Sequence, residues 1–360
     1  MPAKNSRKKE LLARIRSAEA GIGIVGMGYV GLPLAMAFAE KGFPVLGFDV
    51  DQSKVSALGK GQSYIAHLDA ERVRALARSG KLRATSDFAR LQENDVIVVC
   101  VPTPLTPQRE PDMSYIVKTA EQIRDRLRSG QLVVLESTTY PGTTEELVRP
   151  LLEQSGLGCG RDFFLAFSPE REDPGNPRYP TTTIPKVVGG VDRDSGDLAE
   201  ALYACIMNAT VRVSSARAAE ASKLTENIFR AVNIALVNEL KIIYQNMGID
   251  VWEVLDAAST KPFGFMRFDP GPGWGGHCIP VDPFYLSWKA REHGVDTKFI
   301  ELAGEINRRM PEYVLERLRE GLNRQGKPVK GSRVLVLGLA YKRGVGDTRE
   351  SPSIQIIPRL

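Results

Sequence analysis

The feature that most constrains the fold is a group of three glycines that follows a short apolar run near the N-terminus. The run Gly21–Gly26 predicts a buried strand, and Leu32–Glu40, rich in Ala, Leu, Met and Phe, predicts a helix. Between them, Gly26, Gly28 and Gly31 have the spacing G-x-G-x-x-G. The first glycine permits a tight turn, the second lets a pyrophosphate approach the backbone, and the third lets strand and helix pack closely. The segment is therefore expected to bind a dinucleotide, with the phosphates at the helix N-terminus.

A second apolar run, Pro44–Asp49, ends in an acidic residue. At the end of the second strand of a dinucleotide-binding unit, a carboxylate accepts hydrogen bonds from the ribose hydroxyls and repels the extra phosphate of NADP. Asp49 therefore favours NAD as the cofactor. The alternative is a glycine turn with a purely structural role. Such a turn does not require a strand, three glycines, a helix and an acidic residue to follow one another in this order.

Further β-type runs alternate with helical patterns up to about residue 213, at Asp95–Val101, Gln131–Glu136, Phe163–Phe167 and Lys186–Val191. This alternation is typical of a parallel sheet whose strands are joined by crossover helices. We therefore expect an α/β protein whose residues 21–213 form an N-terminal Rossmann-like, doubly wound sheet that binds NAD.

The pattern after residue 213 changes to a single long helix over Ala216–Asn246, followed by shorter helical segments near Val251–Ala258 and Pro283–His293. We expect a helical middle domain over residues 214–325, and a homodimer formed through the long helix. Gly331–Gly338 predicts the first strand of a second Rossmann-like domain over residues 326–360. That domain is expected to be truncated, because each crossover unit needs about 30 residues.

Composition excludes several classes of protein. The 360 residues are 42% hydrophobic and 25% charged, as in globular proteins. No apolar stretch approaches the roughly 20 residues of a membrane span, and no signal sequence is present, so we expect a cytoplasmic protein without membrane insertion. Four widely spaced cysteines predict neither a disulfide framework nor a metal site.

The net charge of +5 is modest, and part of it lies in a basic arm over residues 1–20. Leu11, Leu12 and Ile15 have helical spacing there, which favours a solvated amphipathic helix over an arm that binds nucleic acid or an anionic membrane.

A glycine-rich loop over residues 270–283 places Cys278 directly after Gly275, Gly276 and His277. Cysteines most often act as small buried hydrophobic residues, which suits Cys100 at a strand end better than a glycine loop. His277 can lower the thiol pKa, or it can contact substrate or have a structural role. Asp282, in the same loop, can hold or activate a water, or can be an ordinary acid in a surface turn.

Together these segments resemble the nucleotide-sugar 6-dehydrogenases of the UDP-glucose/GDP-mannose dehydrogenase family. The resemblance covers residues 20–354 and rests on motifs in the family order: GMGYVGLPLA, VPTP, ESTTYPGTT, SPER, EASKLTENIFRAVNIALVNEL, GPGWGGHCIPVDP and GLAYKRGVGDTRESPS. The segments around SPER, KPFGF and HCIPVDP resemble the UDP-N-acetylglucosamine branch. UDP-N-acetylmannosamine and UDP-glucose are the alternative substrates.

The resemblance implies a role for individual residues. Cys278 is the expected nucleophile, Lys223 and Asn227 are the expected oxyanion stabilisers on one helix face, and the water and proton-handling residues are Asp282, Glu170 and Thr138. The residues expected to contact NAD are Gly26, Gly28, Tyr29, Val30, Gly31, Asp49, Lys54, Thr103, Thr138, Lys342 and Arg349. Those expected to contact the UDP-sugar are Glu170, Arg171, Lys223, Asn227, Gly275, His277 and Lys342.

The implied reaction is a four-electron oxidation of the sugar C6 alcohol, for the synthesis of bacterial surface polysaccharide. NAD accepts the first hydride, Cys278 captures the aldehyde as a thiohemiacetal, a second NAD oxidises it to a thioester, and water releases the acid. A two-electron β-hydroxyacid dehydrogenase is the competing enzyme class, but such an enzyme needs no thiol. A non-catalytic NAD-binding remnant is the other alternative, because the third domain is expected to be incomplete.

Overall fold

The computed structural model describes residues 4–65, 68–171, 181–276, 279–342 and 346–360. The chain divides into two compact units, residues 1–223 and residues 224–360. Within the described ranges, no helix has both the length and the apolar character needed to cross a membrane. No cluster of metal-ligating side chains is found there either.

The first unit is built on a sheet of eight strands among its described residues. The strands are β1 (Ile22–Val25), β2 (Val45–Phe48), β3 (Leu82–Thr85), β4 (Val96–Val99), β5 (Leu132–Leu135), β6 (Phe164–Phe167), β7 (Lys186–Gly190) and β8 (Thr210–Arg212). Their order across the sheet is β3-β2-β1-β4-β5-β6-β7-β8. All neighbours are parallel except β6 and β7, which are antiparallel with Phe167 opposite Gly189. The six strands expected from the sequence are present, whereas β3 and β8 were not predicted.

The helices of the described residues are α1 (Lys4–Arg16), α2 (Gly31–Glu40), α3 (Gln52–Gly59), α4 (Ala70–Arg78), α5 (Ser114–Arg124), α6 (Arg149–Glu153), α7 (Arg193–Ala204), α8 (Ala216–Met247), α9 (Val251–Ser259), α10 (Asp282–Glu292), α11 (Lys298–Arg324) and α12 (Pro352–Ile356). Short 3-10 helices cover Phe88–Glu93, Thr181–Thr183 and Ile357–Arg359, and a π-helical turn covers Thr143–Val148. The first unit holds α1 to α7 and the start of α8, and the second unit holds the rest.

The central strands bury side chains on both faces of the sheet. Val96 and Val98 of β4 contribute to one apolar core, and Ile97 and Val99 contribute to the other. This division follows from the two-residue period of a strand. A parallel sheet covered on both faces needs such continuous apolar runs, and it therefore exposes only its strand ends and their loops.

Helix α1 confirms the helix expected near the N-terminus, but it corrects the expectation that this helix is solvated. Leu11 and Ile15 are buried in the core of the first unit. Arg7 pairs with Asp162 at 2.9 Å, and the Lys8 ammonium lies 2.8 Å from Asp194. Because these cations have acidic partners within the same unit, the helix is docked on the domain through both apolar and charged contacts.

The segment 331–339 corrects another expectation, since it forms no strand in the structure. Leu335 and Leu337 are exposed there. A strand is stabilised by main-chain hydrogen bonds to a neighbour, and no described strand pairs with this segment.

Candidate functional site

The glycine turn after β1 is shaped by close packing at two of its three positions. A Cβ on Gly26 would lie 2.5 Å from the carbonyl oxygen of Cys100, and one on Gly31 would lie 1.9 Å from the carbonyl oxygen of Gly26. Gly26 also has a φ of +95°, which favours glycine. Gly28, by contrast, has nothing within 4 Å of an added Cβ. The first and third glycines are therefore required by packing, and the second leaves open space beside the backbone, as the approach of a pyrophosphate requires.

Asp49 follows β2 directly and holds the glycine turn. Its carboxylate is buried and accepts hydrogen bonds from the backbone amides of Met27 and Asp51, both at 2.9 Å. The Lys54 ammonium lies 3.1 Å from the same carboxylate. Tyr64 donates a hydrogen bond to the Met27 carbonyl, and burial, with Asp49 and Asp51 nearby, raises the pKa of Tyr64. The acid expected to select NAD is thus also a support for the turn that carries the cofactor.

Replacing Asp49 with serine is expected to weaken NAD binding roughly tenfold and to narrow the preference over NADP. The variant loses charge-assisted hydrogen bonds and the repulsion of a 2′-phosphate together. Titration of both cofactors, followed by fluorescence, measures the change. Asp51→Asn is the matched control, because Asp51 is exposed and caps α3 by accepting from Ser53. Equal NAD and NADP affinities in the unmodified chain would contradict the role of Asp49.

The remaining candidate residues of the first unit follow successive strands at their carboxyl ends. Thr103 lies in the loop after β4, Thr138 follows β5, and Glu170 and Arg171 follow β6. Parallel strands bring these loops to one edge of the sheet, the same edge as the glycine turn and Asp49. Ligands of open α/β sheets bind in the crevice at this edge. The topology therefore gathers residues that lie more than 100 positions apart in the sequence.

Lys223, on α8, is brought to the loop after β6. Its side chain is buried, its ammonium donates to the Glu170 carbonyl oxygen, and it lies 3.7 Å from the Glu170 carboxylate. Arg171 donates to the Pro185 carbonyl at 2.6 Å, which links it to the residue before β7. A buried ammonium acts on nearby charge more strongly than one in water. This arrangement can stabilise a negative oxygen that develops at the carboxyl edge.

In the second unit, α8 and the start of α10 place two other candidate residues in contact. Asn227 is fully buried and donates a hydrogen bond to the Asp282 carboxylate, while its own amide oxygen accepts from Arg230. Asp282 begins α10 and is also buried. The amide thus orients a buried carboxylate, which can in turn orient a water or accept a proton.

Tyr341 leaves no room for a side chain at the two glycines that precede the candidate cysteine. A Cβ on Gly275 would lie 2.4 Å from the Tyr341 Cβ, and one on Gly276 would lie 2.9 Å from its ring. The Gly276 amide also donates to the Arg349 carbonyl at 3.2 Å. His277 and Cys278 lie outside the described residues. The described part of this loop is therefore packed against the segment that carries the candidate residues Lys342 and Arg349.

Two buried polar groups were not predicted from the sequence. Glu136, at the end of β5, forms an ion pair with Lys186 at 2.9 Å and accepts a hydrogen bond from Tyr203. Glu136 and Lys186 line a cleft together with Val30 and Glu170. A buried ion pair gives little net stability compared with well-packed apolar residues, whereas removal of one partner leaves an uncompensated buried charge.

Glu220 on α8 is the other residue that was missed. Burial raises the pKa of Glu220 to about 7, against hydrogen bonds from Thr144 and Gly142 that lower it. The folded protein therefore holds the Glu220 proton to a higher pH than the unfolded chain does. The contribution of this proton to the free energy of unfolding is complete below about pH 4.5 and is lost as the pH rises through about 7. A sequence signal does exist: Glu220, Lys223, Asn227 and Arg230 have the spacing of one helix face.

Comparison with known proteins matches two family models to the chain. Residues 20–207 match the NAD binding domain of the UDP-glucose/GDP-mannose dehydrogenase family, and residues 217–309 match the central domain of the same family. The two matches together span most of the chain and reach into both compact units.

Individual relatives cover nearly the whole chain as well. A UDP-N-acetyl-D-glucosamine 6-dehydrogenase of Pseudomonas aeruginosa is 41% identical over 94% of this chain and 79% of its own length. The solved structure of a UDP-D-ManNAc dehydrogenase from Pyrococcus horikoshii has a TM-score of 0.89 and 36% identity, covering 94% of this chain and 80% of that one. A UDP-glucose dehydrogenase from Pyrobaculum islandicum has a TM-score of 0.86 at 29% identity, covering 94% and 79%.

Proposed function

Because the chain belongs to the UDP-glucose/GDP-mannose dehydrogenase family and is an NAD-dependent oxidoreductase of nucleotide sugars, we propose that it oxidises the C6 alcohol of UDP-N-acetyl-D-glucosamine to the carboxylate. The observation that carries the chemistry is the buried Lys223 ammonium beside Glu170 at the carboxyl edge of the NAD-binding sheet. The substrate choice is supported by the 41% identity to the Pseudomonas aeruginosa enzyme.

The proposed reaction assigns a task to each candidate residue. NAD, when bound, accepts one hydride in each of two oxidations. Lys223 and Asn227 stabilise the negative oxygen that develops at C6, because preorganised donors act most strongly in a site that excludes water. Glu170 and Thr138 handle the proton that leaves the alcohol. Proton transfer of this kind needs a group within hydrogen-bond reach of the reacting oxygen.

Cys278 and Asp282 serve the second half of the proposed reaction. The Cys278 thiolate adds to the aldehyde carbon and the aldehyde oxygen takes up a proton, which gives a thiohemiacetal. Loss of a hydride to a second NAD and of the hydroxyl proton to solvent would convert this to a thioester. Water, oriented by the Asp282 carboxylate, attacks the thioester carbon. The carbon–sulfur bond breaks, the acid leaves, and the thiol is restored. The covalent attachment keeps the aldehyde on the protein between the two oxidations.

The test is NADH formation by the purified chain with a panel of UDP-sugars at matched concentrations. We expect the highest kcat/KM with UDP-N-acetylglucosamine, lower values with UDP-N-acetylmannosamine and UDP-glucose, and a uronic acid as the product. A higher kcat/KM for either alternative would replace the proposed substrate without changing the reaction. A ketone product would contradict the reaction itself.

We further propose that the chain forms a homodimer through α8. Phe229, Leu236 and Ile243 recur every seven residues on this helix, and each is more than 40% exposed. Apolar side chains at that spacing form a continuous stripe, which a second copy of the helix can cover. Sedimentation equilibrium should give twice the chain mass, and Leu236→Glu should shift the protein towards the monomer. A monomer at all concentrations would contradict this proposal.

A further inference from the structure

Glu220 receives three hydrogen bonds from one short turn of the chain. The Gly142 amide donates to its carboxylate at 2.6 Å, the Thr144 amide donates at 2.8 Å, and the Thr144 hydroxyl donates at 2.6 Å. The Glu220 side chain is fully buried in the first unit. All three donors lie more than 70 residues away in sequence, so the contact joins the start of α8 to the loop after β5.

This loop also carries Thr138, and it is fixed at both ends. At its start, the Ser137 hydroxyl donates to the Val101 carbonyl at 2.8 Å. At its end, the Thr143 hydroxyl donates to the Tyr140 carbonyl at 2.8 Å, and the Thr143 amide donates to the same carbonyl at 3.1 Å. The turn that meets Glu220 therefore has little freedom to rearrange, and Thr138 is held between two anchored points.

Glu220 also stands three residues before Lys223, nearly one helical turn away. Lys223 in turn contacts Glu170 in the loop after β6. The first two turns of α8 thus connect two carboxyl-edge loops, one through the Glu220 carboxylate and the other through the Lys223 ammonium.

We propose that Glu220 is a positioning residue for the oxidation, which sets the Thr138 loop at a fixed distance from Lys223. The proposal rests on the proposed function, because it concerns the turnover in which Thr138 and Lys223 take part. Glutamine keeps the size of the Glu220 side chain but replaces one carboxylate oxygen by an NH2 group. This group cannot accept a hydrogen bond from the amides or the hydroxyl that face it. At least one of the three hydrogen bonds is then lost, and the turn moves away from α8.

An exposed ion pair in the same place provides the matched control. Arg217 on α8 lies 2.7 Å from Glu145 of the π-helical turn, and thus joins the same two segments at the surface. Exposed pairs contribute little to structure. Glu145→Gln therefore removes a charge from the same segment but none of the three hydrogen bonds to Glu220.

The experiment measures kcat and KM with UDP-N-acetylglucosamine, the Kd for NAD, and amide hydrogen exchange of residues 137–146. Glu220→Gln is expected to lower kcat by roughly 10- to 100-fold, because small displacements of reacting groups are costly. We expect KM and the NAD Kd to change less than threefold, and the Gly142 and Thr144 amides to lose protection. Glu145→Gln should match the unmodified chain in every measurement.

Thr144→Val and Thr144→Ser keep the test decisive if Glu220→Gln folds poorly. Valine removes only the hydroxyl donor at nearly constant volume and should lower kcat severalfold, while serine keeps the hydroxyl and should retain full activity. Unchanged kcat in folded Glu220→Gln, or in Thr144→Val, would overturn the positioning role alone. No turnover by the unmodified chain with any UDP-sugar would instead overturn the proposed function, and the positioning role with it.

Discussion

Replacing Cys278 with serine is expected to abolish formation of the carboxylate while leaving NAD binding intact. A serine hydroxyl lacks the nucleophilicity of a thiolate, and its adduct resists the second oxidation. The unmodified chain should give two NADH for each sugar consumed, and the variant should give one or none. The stoichiometry is measured from NADH absorbance and sugar consumption, and the mass of the quenched enzyme reports the covalent adduct.

Cys100→Ser is the control for this experiment. Cys100 follows β4 and packs against the apolar core, outside the glycine loop. Its replacement should leave the ratio of two NADH per sugar unchanged. If Cys278→Ser still produced two NADH and free uronic acid, the aldehyde would be oxidised without this thiol, and the covalent mechanism would be wrong.

Replacing Lys223 with methionine is expected to lower kcat by roughly 10²- to 10³-fold, the usual effect of losing one oxyanion stabiliser. Methionine has a similar length but no charge, so the developing negative oxygen loses its nearest proposed cation. The Glu170 carbonyl also loses its donor. We expect the NAD Kd to change less than threefold, since the glycine turn and Asp49 are untouched. Stopped-flow measurement of the first hydride transfer separates this effect from product release.

Lys241→Met provides the comparison on the same helix. Lys241 donates to Gln245 one turn away and has no proposed role in the reaction. Its replacement should leave kcat within about twofold of the unmodified chain. A kcat for Lys223→Met within the same range would show that this ammonium does not stabilise the transition state.

The glycine turn illustrates what local sequence can determine. Gly31 is required by its contact with Gly26 inside the turn, and Gly26 has a positive φ that favours glycine, so their spacing predicts the conformation before the contact of Gly26 with Cys100 is known. The central strands were predictable for a similar reason, because a strand buried on both faces needs an uninterrupted apolar run. The long helix was also predicted, with an end within one residue of the observed Met247.

Strand pairing was determined only by tertiary structure. β3 and β8 are short and carry polar residues, and each becomes a strand because a neighbour supplies its main-chain hydrogen bonds. The antiparallel direction of β7 likewise depends on its partner β6, since the residues of a strand do not encode its direction.

The buried charges depended on tertiary structure most of all. The sequence indicates a basic helix at the N-terminus, and no role was predicted for Glu220. The folded chain gives the half-buried Lys8 its partner Asp194 and gives the fully buried Glu220 its donors at Gly142 and Thr144. A charged side chain is stable in the interior only when its partners are already in place, and here those partners lie more than 70 residues away. The sequence by itself therefore determined the cofactor fold and the candidate residues, whereas only the packed chain decided which of their charges are buried and what holds them.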